Sequence, residues 1–194
     1  RDIINFVKNK DLFIKIIISS IPIMVIGFIL IQTNLIENLR NIQLIAWTTI
    51  LFGFLLYFSD KNSVNKTIEN DFNIKSAIII GIFQIISLIP GVSRSGITIT
   101  AARLLNFKRV DATKISFLLS IPTLGAVSVF GVKNILTNSD ISFSILNVAA
   151  IFLSFLFSYL TIKYFLDFVK KFNLTIFVIY RVILGLALLA LAYL

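Results

Sequence analysis

The residues Pro90-Gly91-Val92-Ser93-Arg94-Ser95-Gly96-Ile97-Thr98 set turn formers, hydroxyls and one arginine between two apolar arms. Neither arm can cross a bilayer. The first, 76–89, is a nearly continuous apolar run, yet fourteen helical residues rise only about 21 Å against a hydrocarbon core of roughly 30 Å. Pro90 and Gly91 break that helix, and a second short arm runs on through Thr98 and Ala102 to Leu105. Two half-length helices meeting at a polar elbow predict a re-entrant hairpin over about 76–105 whose tip stops inside the membrane.

The surrounding chain has the composition such a hairpin needs. Hydrophobic residues make up 58% and charged residues 14%, where a soluble domain carries about 25% charged. Apolar runs at about 14–32, 43–58, 115–132, 143–166 and 175–194 predict five full spans. Pro22 and Pro122 are expected to kink the first and third. Trp47 and Tyr57 sit near the ends of the second, as an aromatic belt would place them. The fold expected is an all-α integral membrane protein, one membrane domain over 1–194. The net charge of +9 does not indicate nucleic acid, because the lysines cluster at span ends and not on one basic face. With no Cys and no His in the 194 residues, neither thiol nor imidazole chemistry is available in them. The chain opens at Arg1 and not at a methionine, so a segment of a longer protein is expected.

Charge tests whether the hairpin crosses. If it turns back, the inside links hold Arg1, Lys8, Lys10 and Lys15; Lys61, Lys66 and Lys75; Arg103, Lys108, Arg109 and Lys114; and Lys163, Lys170 and Lys171. The outside links then hold only Arg40 and Lys133. A single ordinary span at 76–105 would move the Arg103–Lys114 link outside. The positive-inside rule favours an even number of crossings there.

At the elbow, a helix starting after Pro90-Gly91 leaves its first backbone N–H groups unpaired, and with the helix dipole they form an anion site. Ser93 is the expected N-cap, with the Ser95 hydroxyl beside it. Arg94 offers a planar donor fork suited to phosphate oxygens, and Thr98 lies one turn on along the same face. Gly91 and Gly96 keep bulk away where a phosphate must approach the backbone. Gln84, Ser87 and Gly91 share a face of the first arm and would extend the polar lining. Taken singly, the hydroxyls and glycines could as well serve close helix packing. Arg94 is harder to explain that way, since an unpaired charge at depth costs at least about 2.5 kcal/mol and no apolar span carries an acid. Arg181, six residues into the last span, is expected to snorkel to the nearer interface.

The pattern Pro90-Gly91-x-Ser93-Arg94-Ser95-x-x-Thr98, preceded by Gln84 in a short apolar arm, is similar to the second signature of the undecaprenyl-diphosphate phosphatase (bacitracin-resistance) family. Phe117-Leu118-Leu119-Ser120-Ile121-Pro122 and Ile179-Tyr180-Arg181 also resemble that family's later spans. The resemblance implies a multi-pass enzyme of the bacterial plasma (inner) membrane that hydrolyses undecaprenyl diphosphate and so recycles the lipid carrier of peptidoglycan synthesis. It implies inverted repeats that each open with a re-entrant hairpin, a cavity facing the periplasm, a periplasmic C-terminus, and dependence on a divalent cation, Mg or Ca. By the same resemblance Ser93, Arg94, Ser95 and Thr98 are active-site positions, with Gly91 and Gln84 binding substrate. A homodimer is compatible with it.

The family's first signature, a glutamate-rich stretch followed by Ser-Ser and a His, has no match here; Glu37 and Glu69 are the only glutamates. Hydrolysis needs a base, and a cation wants carboxylates. The segment alone is therefore expected to be inactive, with its cation ligands elsewhere. The competing class is a transporter or lipid flippase, since broken helices at mid-depth also serve transport. Against proton coupling stands the lack of acids or His in the spans. A third option, a phosphatidic-acid-phosphatase type of enzyme, resembles this chain only in being apolar and having a Ser-Arg pair; its catalysis rests on histidines, and these 194 residues have none.

Overall fold

The computed structural model describes residues 9–33, 39–61, 65–137 and 145–194. Of the positions named above, Arg1, Lys8, Glu37 and the link 138–144 lie outside the described residues, as does the side chain of Lys133. The described residues form α1 (Lys10–Gln32), α2 (Ile42–Asp60), the single turn α3 (Ile68–Asp71), α4 (Ile74–Ile85) with a 3₁₀ turn (Ile86–Leu88), α5 (Arg94–Leu104), α6 (Arg109–Thr137), α7 (Ile145–Lys171) and α8 (Thr175–Tyr193). Asparagines start three of them: Asn9, Asn41 and Asn73 each accept, through the side chain, a backbone N–H of the first turn of α1, α2 and α4.

Five helices, α1, α2, α6, α7 and α8, are long and apolar enough to cross a membrane. The outer surface is greasy to match. Phe152, Phe155 and Phe157 of α7 stand exposed, as do Phe28 of α1 and Leu51 of α2, which lipid accommodates and water would not. This is an all-α integral membrane protein.

The hairpin is present and returns to the end it came from. Its two feet are tied by backbone bonds, Lys66 N–H to Asn106 O at 3.0 Å and Lys108 N–H to Lys66 O at 3.0 Å. Phe107, fully buried, packs edge-on against Phe72 at the same place. Asn106 makes the turn possible with a positive φ of 71°, a conformation Asn tolerates better than most residues.

The basic links are shorter than expected. Residues 109–114 and 167–171 read as connecting loops, but α6 starts at Arg109 and α7 runs to Lys171. The end of the apolar stretch marks where lipid stops, not where the backbone stops repeating its i to i−4 bonds. Arg103 and Arg109 also do more than set topology. Asp60 closes α2 and is almost buried; its Oδ1 pairs with Arg109 Nε at 2.7 Å and Arg103 Nε at 3.3 Å. Its Oδ2 accepts the Leu174 N–H at 3.1 Å, just ahead of α8. One carboxylate thus gathers the ends of α2 and α5 and the starts of α6 and α8.

Small residues let the helices close up. Gly81 of α4 lies on the backbone of Ser19 in α1, where a Cβ would collide with the Ser19 carbonyl, and Ser19 Oγ donates to Ala77 O at 2.7 Å. Gly185 of α8 meets Ala46 and Ile50 of α2 in the same way. This is the close approach that membrane helices use in place of a hydrophobic driving force.

Candidate active site

The elbow is fastened to the middle of α2. Thr48 Oγ1 donates to Pro90 O at 2.6 Å and Thr49 Oγ1 to Gly91 O at 3.2 Å. Thr48 precedes Asp60 by twelve residues, so the elbow sits about 18 Å in from the Asp60 end. Gly91 has φ 89°, and a Cβ there would collide with Thr48 and Ile45. Only glycine fits.

Ser93 is the N-cap of α5 as expected. Its hydroxyl accepts the Gly96 N–H at 3.2 Å and its carbonyl accepts Ile97 N–H at 3.0 Å. The helix supplies no acceptor for the N–H groups of Arg94 and Ser95, which therefore face an anion site. Ser93 itself is held at φ 68°, a strained value for a residue with a Cβ. The Ser95 hydroxyl lies 3.4 Å from that of Ser93.

Arg181 overturns its expectation. It is almost completely buried and does not snorkel back toward Thr175. Its stem passes Gly53 of α2, whose missing side chain leaves the path open, and its head enters the elbow. Nε donates to Thr49 O at 3.2 Å, and Nη2 donates to both Gly91 O and Val92 O at 2.9 Å. The reason is supply of acceptors: the broken helix exposes carbonyls that no amide can reach, and a buried guanidinium needs such oxygens. An arginine six residues inside an apolar span was the available signal.

The structure divides the expected site between two cavities. One, about 480 Å³, is bordered by Gly91, Ser93, Ser95, Gly96 and Arg181, with Leu56, Phe165, Phe177 and Leu184 among its apolar residues and Thr49 and Tyr180 also on its wall. The other, about 520 Å³, is bordered by Arg94, Ser95, Ser116, Ser120, Ser158 and Thr161, together with Phe117, Phe157 and Ile162. Ser95 borders both. Arg94 points to α6, where Nη2 donates to Leu119 O at 2.7 Å. Leu119 O also accepts the Thr123 hydroxyl at 3.0 Å, and Pro122 between them leaves Leu118 O without its i+4 N–H. Thr98 borders neither cavity; it is buried, returns a bond to Arg94 O at 2.9 Å and meets Ser116 Oγ at 2.7 Å. Ser116, which sequence reasoning missed, links it to the Arg94 cavity. Gln84 also borders neither. It is fully buried, and its amide nitrogen and oxygen have no partner among the described residues.

The donor set fits an anion and not a divalent cation. Around the elbow stand hydroxyls, amide N–H groups and two guanidiniums, while the carbonyls of Pro90, Gly91 and Val92 are already engaged by Thr48, Thr49 and Arg181. Among the described residues no cluster of His, Cys, Asp or Glu could hold a metal ion. Asp60, the nearly buried carboxylate, is taken up by Arg103, Arg109 and the Leu174 N–H.

Residues 3–187 match the sequence family described as Bacitracin resistance protein BacA. The protein from Pelagibacter ubique (strain HTCC1062) named undecaprenyl-diphosphatase is 47% identical over 194 residues, all of this chain and 75% of that relative. Undecaprenyl-diphosphatases of Saccharophagus degradans and Aliivibrio salmonicida are 40% and 44% identical, over 96% and 94% of this chain and 69% and 68% of theirs.

Proposed function

This chain belongs to the Bacitracin resistance protein BacA family, and from that premise we propose that it hydrolyses undecaprenyl diphosphate to undecaprenyl phosphate and phosphate. The reaction recycles the lipid carrier for peptidoglycan synthesis and underlies resistance to bacitracin. The observation that carries the reading is the N-terminus of α5, open to the two cavities beside two guanidiniums, neither of them bonded to a carboxylate among the described residues. A diphosphate supplies the missing negative charge. Uncompensated cations at depth cost several kcal/mol, so a site built this way favours an anionic head.

In this reading the free N–H groups of Arg94 and Ser95, the Ser93 and Ser95 hydroxyls and the helix dipole hold phosphate oxygens. Arg94 stabilises charge on the transferring phosphoryl group, and its own Nη2 bond to Leu119 fixes where the fork points. Thr98 positions Arg94 through the backbone carbonyl to which its hydroxyl donates. Gln84, with an unspent amide, is assigned to substrate binding. A divalent cation, Mg or Ca, belongs to the same proposal, held by groups other than those at the elbow. The basic end around Asp60 faces the cytoplasm of a bacterial inner membrane, and the end of α8 faces the periplasm.

The test is phosphate release from undecaprenyl diphosphate by protein purified from its complete open reading frame. Translocation of the lipid without phosphate release would overturn hydrolysis in favour of a flippase.

A further inference from the structure

Arg181 is not explained by the chemistry so far. Its Nε and Nη2 hold three carbonyls of the elbow and of α2, but Nη1 has no acceptor among the described residues. Nη1 lies over the first turn of α5. A Cβ built on Gly96 would come within 2.7 Å of it and 3.2 Å of Ser93 Oγ. Glycine at position 96 therefore keeps open the space where Nη1, the Ser93 hydroxyl and the N-terminus of α5 converge. That space belongs to the cavity whose apolar wall includes Leu56, Phe165, Phe177 and Leu184, and it meets the Arg94 cavity at Ser95.

We propose that Arg181 is the second cation of the substrate site and that Nη1 binds the phosphate that stays on the prenyl chain. The inference rests on the reading that the substrate is a prenyl diphosphate. Arg94 and Arg181 border separate cavities that share Ser95, so a diphosphate at that residue presents one phosphate to each. Both cavities have apolar lining, but Phe117, Phe157 and Ile162 beside Arg94 share their wall with Ser116, Ser120, Ser158 and Thr161. Leu56, Ile99, Phe165, Leu174, Phe177 and Leu184 give the Arg181 cavity the larger aromatic and aliphatic wall for the first isoprenyl units. The lipid-linked phosphate therefore falls to Arg181 and the transferring one to Arg94. A group that contacts the retained phosphate binds ground and transition states alike. Its loss raises KM and weakens product binding while changing kcat little.

Two variants test this in protein made from the complete open reading frame, with farnesyl monophosphate as the binding probe and farnesyl diphosphate as the substrate. Arg181→Gln and Gly96→Ala are each expected to weaken farnesyl monophosphate binding and raise KM by about tenfold or more, the value of one charge-assisted hydrogen bond. Gly96→Ala crowds Nη1 and leaves Nε its acceptor on α2 and Nη2 its two acceptors at the elbow, so its melting temperature should fall less than that of Arg181→Gln. If Arg181→Gln lowers the melting temperature while both variants bind the monophosphate as the parent does, Arg181 only braces the elbow and the proposal fails. A kcat loss at unchanged KM would also overturn it. If the parent releases no phosphate from the diphosphate yet binds the monophosphate through Arg181, the hydrolase reading is what falls.

Discussion

Arg94, Ser93 and Arg181 divide the work of one turn of chain. Arg94→Ala in the protein from the complete reading frame should reduce turnover by about 10²–10³, the value of one preorganised donor at a developing charge. Arg94→Lys should restore little, because a point charge cannot both hold Leu119 O and present a second donor to the phosphoryl group. Phosphate release at saturating substrate reads both. Ser93 separates capping from strain. Ser93→Ala loses the cap on Gly96 N–H and keeps the positive φ, so it should lower stability by about 1 kcal/mol. Ser93→Gly loses the same hydroxyl but relaxes the backbone, and should melt above the alanine variant. Ser93 and Arg94 were legible as local chemistry, because a serine after Pro-Gly is a cap wherever it folds. Arg181 was not, because a long side chain in an apolar helix takes its direction from the helices packed beside it.

Helices here are held by what they lack as much as by what they carry. Gly81→Leu would drive a side chain into the Ser19 backbone and separate α4 from α1, at about 1–3 kcal/mol for overpacking. Thermal unfolding in detergent measures the loss. Asp60→Asn is the heavier blow. It leaves Arg103 buried beside a neutral amide and weakens the hold on Arg109 and Leu174, where breaking a buried pair costs about 3–5 kcal/mol. A melting temperature close to the parent in that variant would contradict the assigned role. The helix limits themselves followed from apolar length, except where α1, α6 and α7 continue past the lipid into charged residues.

Among the described residues the hairpin returns to the basic end it left, with its feet tied at Lys66, Asn106 and Lys108. With no cysteine among the 194 residues, Lys66→Cys, Lys108→Cys and Lys171→Cys variants should each label with an impermeant maleimide from the same side of the membrane, and Arg40→Cys from the other. Labelling of Lys66→Cys and Lys108→Cys from opposite sides would refute the return. Arm length, the Pro90-Gly91 break and the distribution of lysines determined this topology by themselves, since bilayer thickness and charge translocation act on a segment without reference to its neighbours. The elbow's caps and its affinity for anions were equally local. Only the tertiary structure decided which side chains share a cavity. It turned Arg181 inward, set Arg94 and Ser93 on different sides of Ser95, buried Thr98 against Ser116 and made Asp60 a clasp. Those outcomes depend on which carbonyls the packed helices leave unpaired and where a glycine opens a path, quantities that do not exist until the helices meet.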